Sequence, residues 1–261
     1  MSADSPPRLP APLELLYGGY AVLAFLLTGL AAFILILLPL GIRARRAIAH
    51  FMASSFFRLA GIPVRLRGAA HLPEGPCVVV ANHASYLDGI VLKAALPARF
   101  SFVIKKEVSR VPLANLLLRR IGSEFVDRFN RHAGGIDARR LFKAADAGQP
   151  LVFFPEGTFT ARPGVGKFHS GAFAIAARAG LPIVPVSIRG TRHILPSGRL
   201  LPRPGRIEIE VLPALAPSED RETAAAIAAM REQARSRIVA AVGEPDLSDS
   251  DGVQALQARE S

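Results

Sequence analysis

Half of the 261 residues are apolar and one fifth are charged, which is material for one sizeable domain plus an accessory element and no basis for two full domains. The single cysteine, Cys77, excludes an intramolecular disulfide and any cysteine-based metal cluster, and it fits a reducing compartment. A formal net charge of +11 asks for an anionic partner; with no Trp, few aromatics among the cations and no nucleic-acid motif, that partner is read as an anionic membrane surface and not nucleic acid.

Leu15 to Ile42 is an uncharged stretch of 28 residues, which as a helix reaches roughly 40 Å against about 30 Å of bilayer hydrocarbon. It ends in Pro39-Leu40-Gly41-Ile42-Arg43 and not in a small-residue cleavage site, so it reads as a retained anchor. Arg43, Arg45 and Arg46 follow it, while the other flank sets Arg8 against Asp4 and Glu14; the positive-inside rule then puts the rest of the chain in the cytoplasm. Ala44, Ile48, Phe51, Met52, Ser55, Phe56 and Leu59 continue with helical spacing, giving a basic amphipathic helix that stops at Gly61-Ile62-Pro63. Its spacing suits a core-packing helix equally well; its place beside the anchor favours the membrane surface. The two segments form either a span followed by a surface helix or a hairpin within one leaflet, so residues 1–62 are expected as a membrane anchor.

Short apolar runs follow near Val64–Leu66, Cys77–Ala81, Phe100–Ile104, Leu151–Phe154, Ile183–Ile188 and Ile207–Val211, alternating with helical patterns near Ile90–Leu96, Leu113–Ile121, Gly135–Ala147, Ser170–Ala179 and Glu219–Val242. This predicts an α/β fold over residues 63–242, a mixed central sheet flanked by helices. Residues 243–261 are polar and acidic without a period and are expected to be disordered.

The run Cys77–Ala81 ends on Asn82-His83-Ala84-Ser85-Tyr86-Leu87-Asp88, which sets His83 on a strand-to-helix turn. Ser85 is a good N-cap and Asp88, three residues on, a first-turn carboxylate. Residues five apart on a helix lie about 140° apart, so His83 and Asp88 meet only if His83 precedes the helix and its ring folds back. An imidazole held by a carboxylate is a general-base arrangement. The residues alone weigh equally the plainer reading, a helix cap beside a polar loop histidine. Cys77, inside an apolar strand, and Ser85, without a Gly-x-Ser-x-Gly elbow, are poor nucleophiles. His50, His71, His132, His169 and His193 show no metal spacing.

Three more segments set polar residues where strands should end: Ile121-Gly122-Ser123-Glu124-Phe125-Val126-Asp127-Arg128, Phe154-Pro155-Glu156-Gly157-Thr158 and Pro182-Ile183-Val184-Pro185. Taken singly they are an ion pair, a turn and strand punctuation. From Gly157 to Ile207 there are eight Lys and Arg and no acid, which suits an anionic head group.

In this order the four blocks resemble the glycerolipid acyltransferases, notably the bacterial 1-acyl-glycerol-3-phosphate acyltransferases, from about Pro63 to Val211. Lys105-Lys106-Glu107 and Phe168-x2-Gly171-Ala172-Phe173 are similar to two further segments of that family. The resemblance implies a membrane enzyme, in bacteria at the cytoplasmic face of the inner membrane, that moves a fatty acyl group from acyl carrier protein or acyl-CoA to a lysophospholipid. It implies His83 as base and Asp88 as its orienting partner, with Glu156, Gly157 and Thr158 shaping the site and Lys105 and Arg128 drawing in the head group. It implies no metal and no cofactor beyond the thioester. One position departs: where the family usually has an Arg linked to phosphate binding, this chain has Phe159. Another lysophospholipid or a lyso-ornithine-type lipid is therefore an alternative acceptor; a membrane lipid hydrolase and a non-catalytic membrane-binding protein are the other classes.

Overall fold

A β-branched run buried on both faces belongs in the middle of a parallel sheet, and Val78–Ala81 is buried along its whole length. The structure, a computed structural model, describes residues 10–127, 131–160, 162–217 and 223–248. Among these residues seven strands, β1 (Val64–Arg67), β2 (Val78–Ala81), β3 (Ser101–Lys105), β4 (Glu124–Val126), β5 (Leu151–Phe153), β6 (Ile183–Arg189) and β7 (Ile207–Val211), form one sheet in the order β1-β7-β6-β2-β5-β3-β4. Neighbours are parallel throughout except β6 and β7, so the sheet is mixed, as the sequence predicts. The five parallel strands from β4 to β6 all end on one edge, which is where open α/β sheets place ligands.

The helices are α1 (Ala11–Leu37), α2 (Ile42–Leu59), α3 (Asp88–Ala95), α4 (Pro112–Arg120), α5 (Arg131–Asp146), α6 (Gly171–Ala179), α7 (Thr191–Ile194) and α8 (Ala224–Val242). Alternate residues of β2 face opposite ways. Val79 and Ala81 share a core with residues of α1, α2 and α3. Val78 and Val80 meet Leu141 of α5, Phe173 of α6 and Ala234 and Ile238 of α8. The result is three layers, helix on sheet on helix.

The apolar N-terminal run breaks earlier than expected. α1 ends at Leu37 because Leu38 precedes Pro39 and is pushed out of the helical region, with ψ 152°. α1 is the one helix among the described residues long and apolar enough to cross a bilayer, with mean hydropathy 2.6. It also packs: Gly18, Ala21, Ala24, Thr28, Ala32 and Ile36 recur at three- and four-residue steps and are buried. The Tyr17 and Tyr20 hydroxyls donate to the Ala60 and Leu59 carbonyls at the end of α2, at 2.9 and 2.7 Å.

One side of α2 packs on the core, while Phe51 and Leu59 on its other side stay exposed. Phe56 and Phe57 are buried, Ser54 Oγ donates to the Ala94 carbonyl, and His50 Nδ1 lies 3.1 Å from the Lys93 carbonyl on α3. The expected border at residue 62 therefore runs through a shared core. β4 is also new, a three-residue edge strand too short to show a period. α8 starts at Ala224 and not Glu219, with Thr223 accepting from the Ala226 N–H; residues 218–222 lie outside the described residues. Of the tail expected to be disordered, residues 243–248 are packed against the loop after β5 and against α8, because Leu247 and Glu244 find partners in that loop and Asp246 finds Arg235 of α8. Residues 249–261 lie outside the described residues.

The turn from β6 into α7 depends on Gly190, at φ +91°, where an added Cβ would stand 2.1 Å from the Arg206 carbonyl oxygen. Gly190→Ala is expected to lower Tm by several degrees, through backbone strain and displacement of the start of β7 together. A melting curve superimposable on wild type would contradict this account of the turn.

Candidate active site

The end of β2 is fixed first. Asn82 is buried, and its amide closes two hydrogen bonds on the backbone of Ile188 in β6, accepting from N–H at 2.8 Å and donating to the carbonyl at 3.0 Å. His83 follows, outside any helix, and its ring folds back as the spacing requires: Nδ1 lies 2.9 Å from Asp88 Oδ2. The same oxygen accepts from the N–H groups of Ala84 at 2.6 Å and Ser85 at 2.8 Å. A carboxylate oxygen that already accepts from two backbone N–H groups offers the ring only an acceptor, so Nδ1 carries a proton, and in the neutral ring Nε2 then holds the lone pair. Asp88 is 0% exposed, so these bonds compete with little water.

The local reason differs from the sequence reading in one respect. α3 begins at Asp88 without a side-chain cap, and Ser85 is not its N-cap. Ser85 Oγ accepts from the Leu87 N–H at 3.1 Å and donates to the Leu195 carbonyl at 2.6 Å, which commits its proton elsewhere. Asp88 turns back toward the preceding loop and satisfies that backbone. Burial pushes the Cys77 thiol up to about 11, which keeps it protonated and inert.

β5 lies beside β2 and delivers Phe154 and Glu156 to the same edge. Phe154 stacks on the His83 ring, 4.4 Å between centroids and 22° between planes. Glu156 bridges two loops: Oε1 accepts from the His83 N–H at 2.6 Å and Oε2 from the Gly166 N–H at 2.7 Å. Burial pushes its carboxyl from 4.5 up to about 7, outweighing both N–H bonds and Arg192, with the Asp88 charge adding to the rise. Phe159 closes another side of the imidazole, with centroids 4.5 Å apart, and meets Tyr86 edge-on at 4.8 Å. The arrangement is an imidazole whose backbone and ring are both held, walled by aromatic side chains.

The remaining candidates are dispersed. Gly157 adopts φ +83° and its N–H goes to the Phe154 carbonyl, so that N–H is already engaged. Thr158 is exposed. Lys105 ends β3 on the same edge with its side chain exposed, and Arg128 lies outside the described residues. Four of the eight Lys and Arg in the acid-free block from Gly157 to Ile207 are paired with acids from elsewhere: Arg189 with Glu208, Arg192 with Glu244, and Arg199 and Arg203 both with Glu14. It is less of an anion-binding face than its composition suggests. The sequence reading did not assign Phe154, Gly166 or Arg192 a place around His83; Phe154 was visible only as part of its motif, and the other two carry no local signal.

A family model described as Acyltransferase matches residues 63–189. The chain is 28% identical over 228 residues to a Pseudomonas aeruginosa protein named 1-acyl-sn-glycerol-3-phosphate acyltransferase, covering 85% of this chain and 86% of that one. It is 34% identical over 140 residues to a Pseudomonas aeruginosa protein named Lyso-ornithine lipid O-acyltransferase, covering 54% and 53%. It spans about half the length of the curated relatives it matches from Brassica napus, Chlamydomonas reinhardtii and Arabidopsis thaliana. The crystal structure of the 1-acyl-sn-glycerophosphate acyltransferase of Thermotoga maritima shares the fold, with TM-score 0.67 at 23% identity over 86% of this chain and 95% of that one.

Because the folded Glu156 holds its proton more tightly than the unfolded chain does, its contribution to stability is present below about pH 4.5 and is lost as pH rises through about 7. Glu156→Gln cannot titrate, so the Tm advantage of wild type over this variant is expected to shrink between pH 5 and pH 8. An advantage that stays level or grows over that interval would contradict the buried carboxyl described here.

Proposed function

We propose, from the premise that the chain belongs through residues 63–189 to the acyltransferase family, that it moves a fatty acyl group from an acyl thioester to the free hydroxyl of 1-acyl-glycerol-3-phosphate, giving phosphatidic acid. The observation that carries the reading is the 2.9 Å contact of His83 Nδ1 with Asp88 Oδ2, which leaves Nε2 as the base. Nε2 takes the proton of the acceptor hydroxyl as its oxygen bonds to the thioester carbon. The C–S bond then breaks, and the imidazolium returns the proton to the departing thiolate. Asp88 stabilises the charged ring in between; proton transfer of this kind contributes about 10² to 10⁴ in rate. No acyl-enzyme is required. Glu156 holds the His83 backbone, Gly157 and Thr158 shape the loop beyond it, and Lys105 and Arg128 supply charge for the head group. Acyl-CoA and acyl carrier protein both supply the thioester this chemistry needs.

The membrane is reached through α1. Its two ends are tied to the same body, Glu14 to Arg199 and Arg203 and the Leu37 carbonyl to Arg120. Its outer face is apolar, with Leu16 70% and Leu30 57% exposed. A helix held along one side meets the bilayer with the other, so we read it as lying in one leaflet. The cations that follow it hold the body against anionic lipid at the cytoplasmic face of the inner membrane.

Phe159 favours a second reading. An aromatic ring against His83 and Tyr86 gives the acceptor an apolar wall at that point, and one of the relatives is named for a lyso-ornithine lipid.

His83→Ala is expected to reduce acyl transfer by about 10² to 10⁴ while the protein remains folded and membrane-bound. Asp88→Asn is expected to lose more activity than stability. Purified enzyme with one acyl donor at fixed salt should use lysophosphatidate with higher kcat/KM than a zwitterionic lysophospholipid or lyso-ornithine lipid. If lyso-ornithine lipid is preferred, the acceptor changes and the acyl-transfer chemistry stands; if purified His83→Ala keeps most of its activity, the mechanism fails.

A further inference from the structure

Gly166, whose N–H meets Glu156, sits in a loop with no regular structure of its own, and something must hold that loop. Two arginines do so. Arg235 of α8, 2% exposed, donates to the Gly166 carbonyl from Nε at 3.0 Å and to the Val165 carbonyl from Nη2 at 3.1 Å. Arg192 of α7 donates to the Thr160 carbonyl at 2.6 Å and to the Gly164 carbonyl at 3.2 Å. Each arginine is backed by an acid from the six described residues after α8. Asp246 takes both terminal nitrogens of Arg235, and Glu244 takes Nε and Nη2 of Arg192 at 3.1 and 3.0 Å.

The same short segment grips the loop through its backbone. The Val165 N–H donates to the Pro245 carbonyl and the Leu247 N–H to the Val165 carbonyl, both at 3.0 Å, and the Gly164 N–H donates to Glu244 Oε2 at 2.8 Å. Leu247 packs so closely on Gly164 that an added Cβ would lie 2.4 Å from its Cγ. A continuous chain of contacts thus runs from Asp246 through Arg235 and Gly166 to Glu156 and the His83 backbone.

We propose that Arg192, Arg235, Glu244 and Asp246 are positioning residues for the base, so that residues 243–248, remote in sequence from His83, form a strap that sets where the base stands. The catalytic part of this inference rests on the acyl-transfer reading. The positioning part rests on the contacts alone. Two arginine forks are geometrically exacting, which suits them to this task better than a loop held by apolar packing. A misplacement of about 1 Å at a catalytic group costs about a hundredfold in rate.

The test uses the full chain in detergent and compares Asp246→Asn with Met230→Ala, a core truncation in α8 whose side chain makes none of these hydrogen bonds. Acyl transfer to lysophosphatidate from acyl-CoA gives kcat and KM, and amide hydrogen exchange is followed over residues 82–87 and 164–168. Asp246→Asn is expected to lower kcat about a hundredfold with KM for acyl-CoA within about twofold, and to speed exchange in both segments about tenfold. Met230→Ala, at a matched loss of Tm, should keep kcat and the exchange of residues 82–87. If Asp246→Asn folds poorly, Glu244→Gln makes the same comparison through Arg192. The proposal is overturned if kcat falls no further than in Met230→Ala, or if exchange over 82–87 matches wild type. A wild-type protein that transfers no acyl group, while the strap variant still speeds exchange at 82–87, overturns the acyl-transfer reading and supports the positioning role.

Discussion

One carboxylate oxygen organises the candidate site. Asp88 Oδ2 accepts from the His83 ring and from two consecutive backbone N–H groups, in a place where Asp88 itself is wholly buried. A hydrogen bond to a charged group contributes about 1.5 to 3 kcal/mol, and leaving a buried partner unmatched costs comparably. The loop from His83 to Leu87 therefore has little freedom. Its backbone closes around Asp88, its serine is committed to Leu195, and its histidine ring presents one nitrogen to the carboxylate and the other outward. The rest of the fold supplies the frame: Asn82 pins the strand end to β6, and Glu156 pins the same turn to β5.

The fold brings these parts together because the parallel strands end on one edge. β2 delivers the imidazole of His83, β5 the aromatic stack and the bridging carboxyl, and the loop after β5 the second aromatic wall. Two other strands of the edge end in exposed lysine at β3 and in α7 after β6. Electrostatics follow the same plan. Four of the seven arginines between Gly157 and Ile207 are paired internally, two of them on Glu14 of α1 and one at the loop beyond Glu156. Phe154 and Phe159 both stand against the imidazole, which makes the surroundings of His83 more aromatic than cationic.

How much of this is legible in the sequence depends on contact distance along the chain. His83 and Asp88 lie five residues apart, so spacing and turn propensity predict their meeting, and the strand and helix runs predict the mixed α/β sheet. The partnership of Glu156 with the His83 N–H joins residues 73 apart and exists only because β5 pairs with β2. No local pattern encodes that pairing. α2 shows the same gap: an amphipathic period fixes which face is apolar but not whether lipid or protein covers it, and here the α3 carbonyls and the sheet do so for Phe56, Phe57 and Ser54. The segment after α8 has a polar, aperiodic composition that reads as disorder, yet Asp246 and Leu247 each find a buried partner. Composition predicts whether a segment can build its own core, and it is silent on whether it completes another's.

The proposed general-base chemistry requires the imidazole to keep its proton on Nδ1 and a free lone pair on Nε2. Nitrogen NMR of histidine-labelled protein in detergent, with the His83 signals assigned by His83→Asn, reads the tautomer directly. For the neutral ring the geometry predicts a protonated Nδ1 and a bare Nε2, with that preference lost in Asp88→Asn. A neutral ring carrying its proton on Nε2 in the wild-type protein would contradict the general-base assignment, because no lone pair would then face the acceptor hydroxyl.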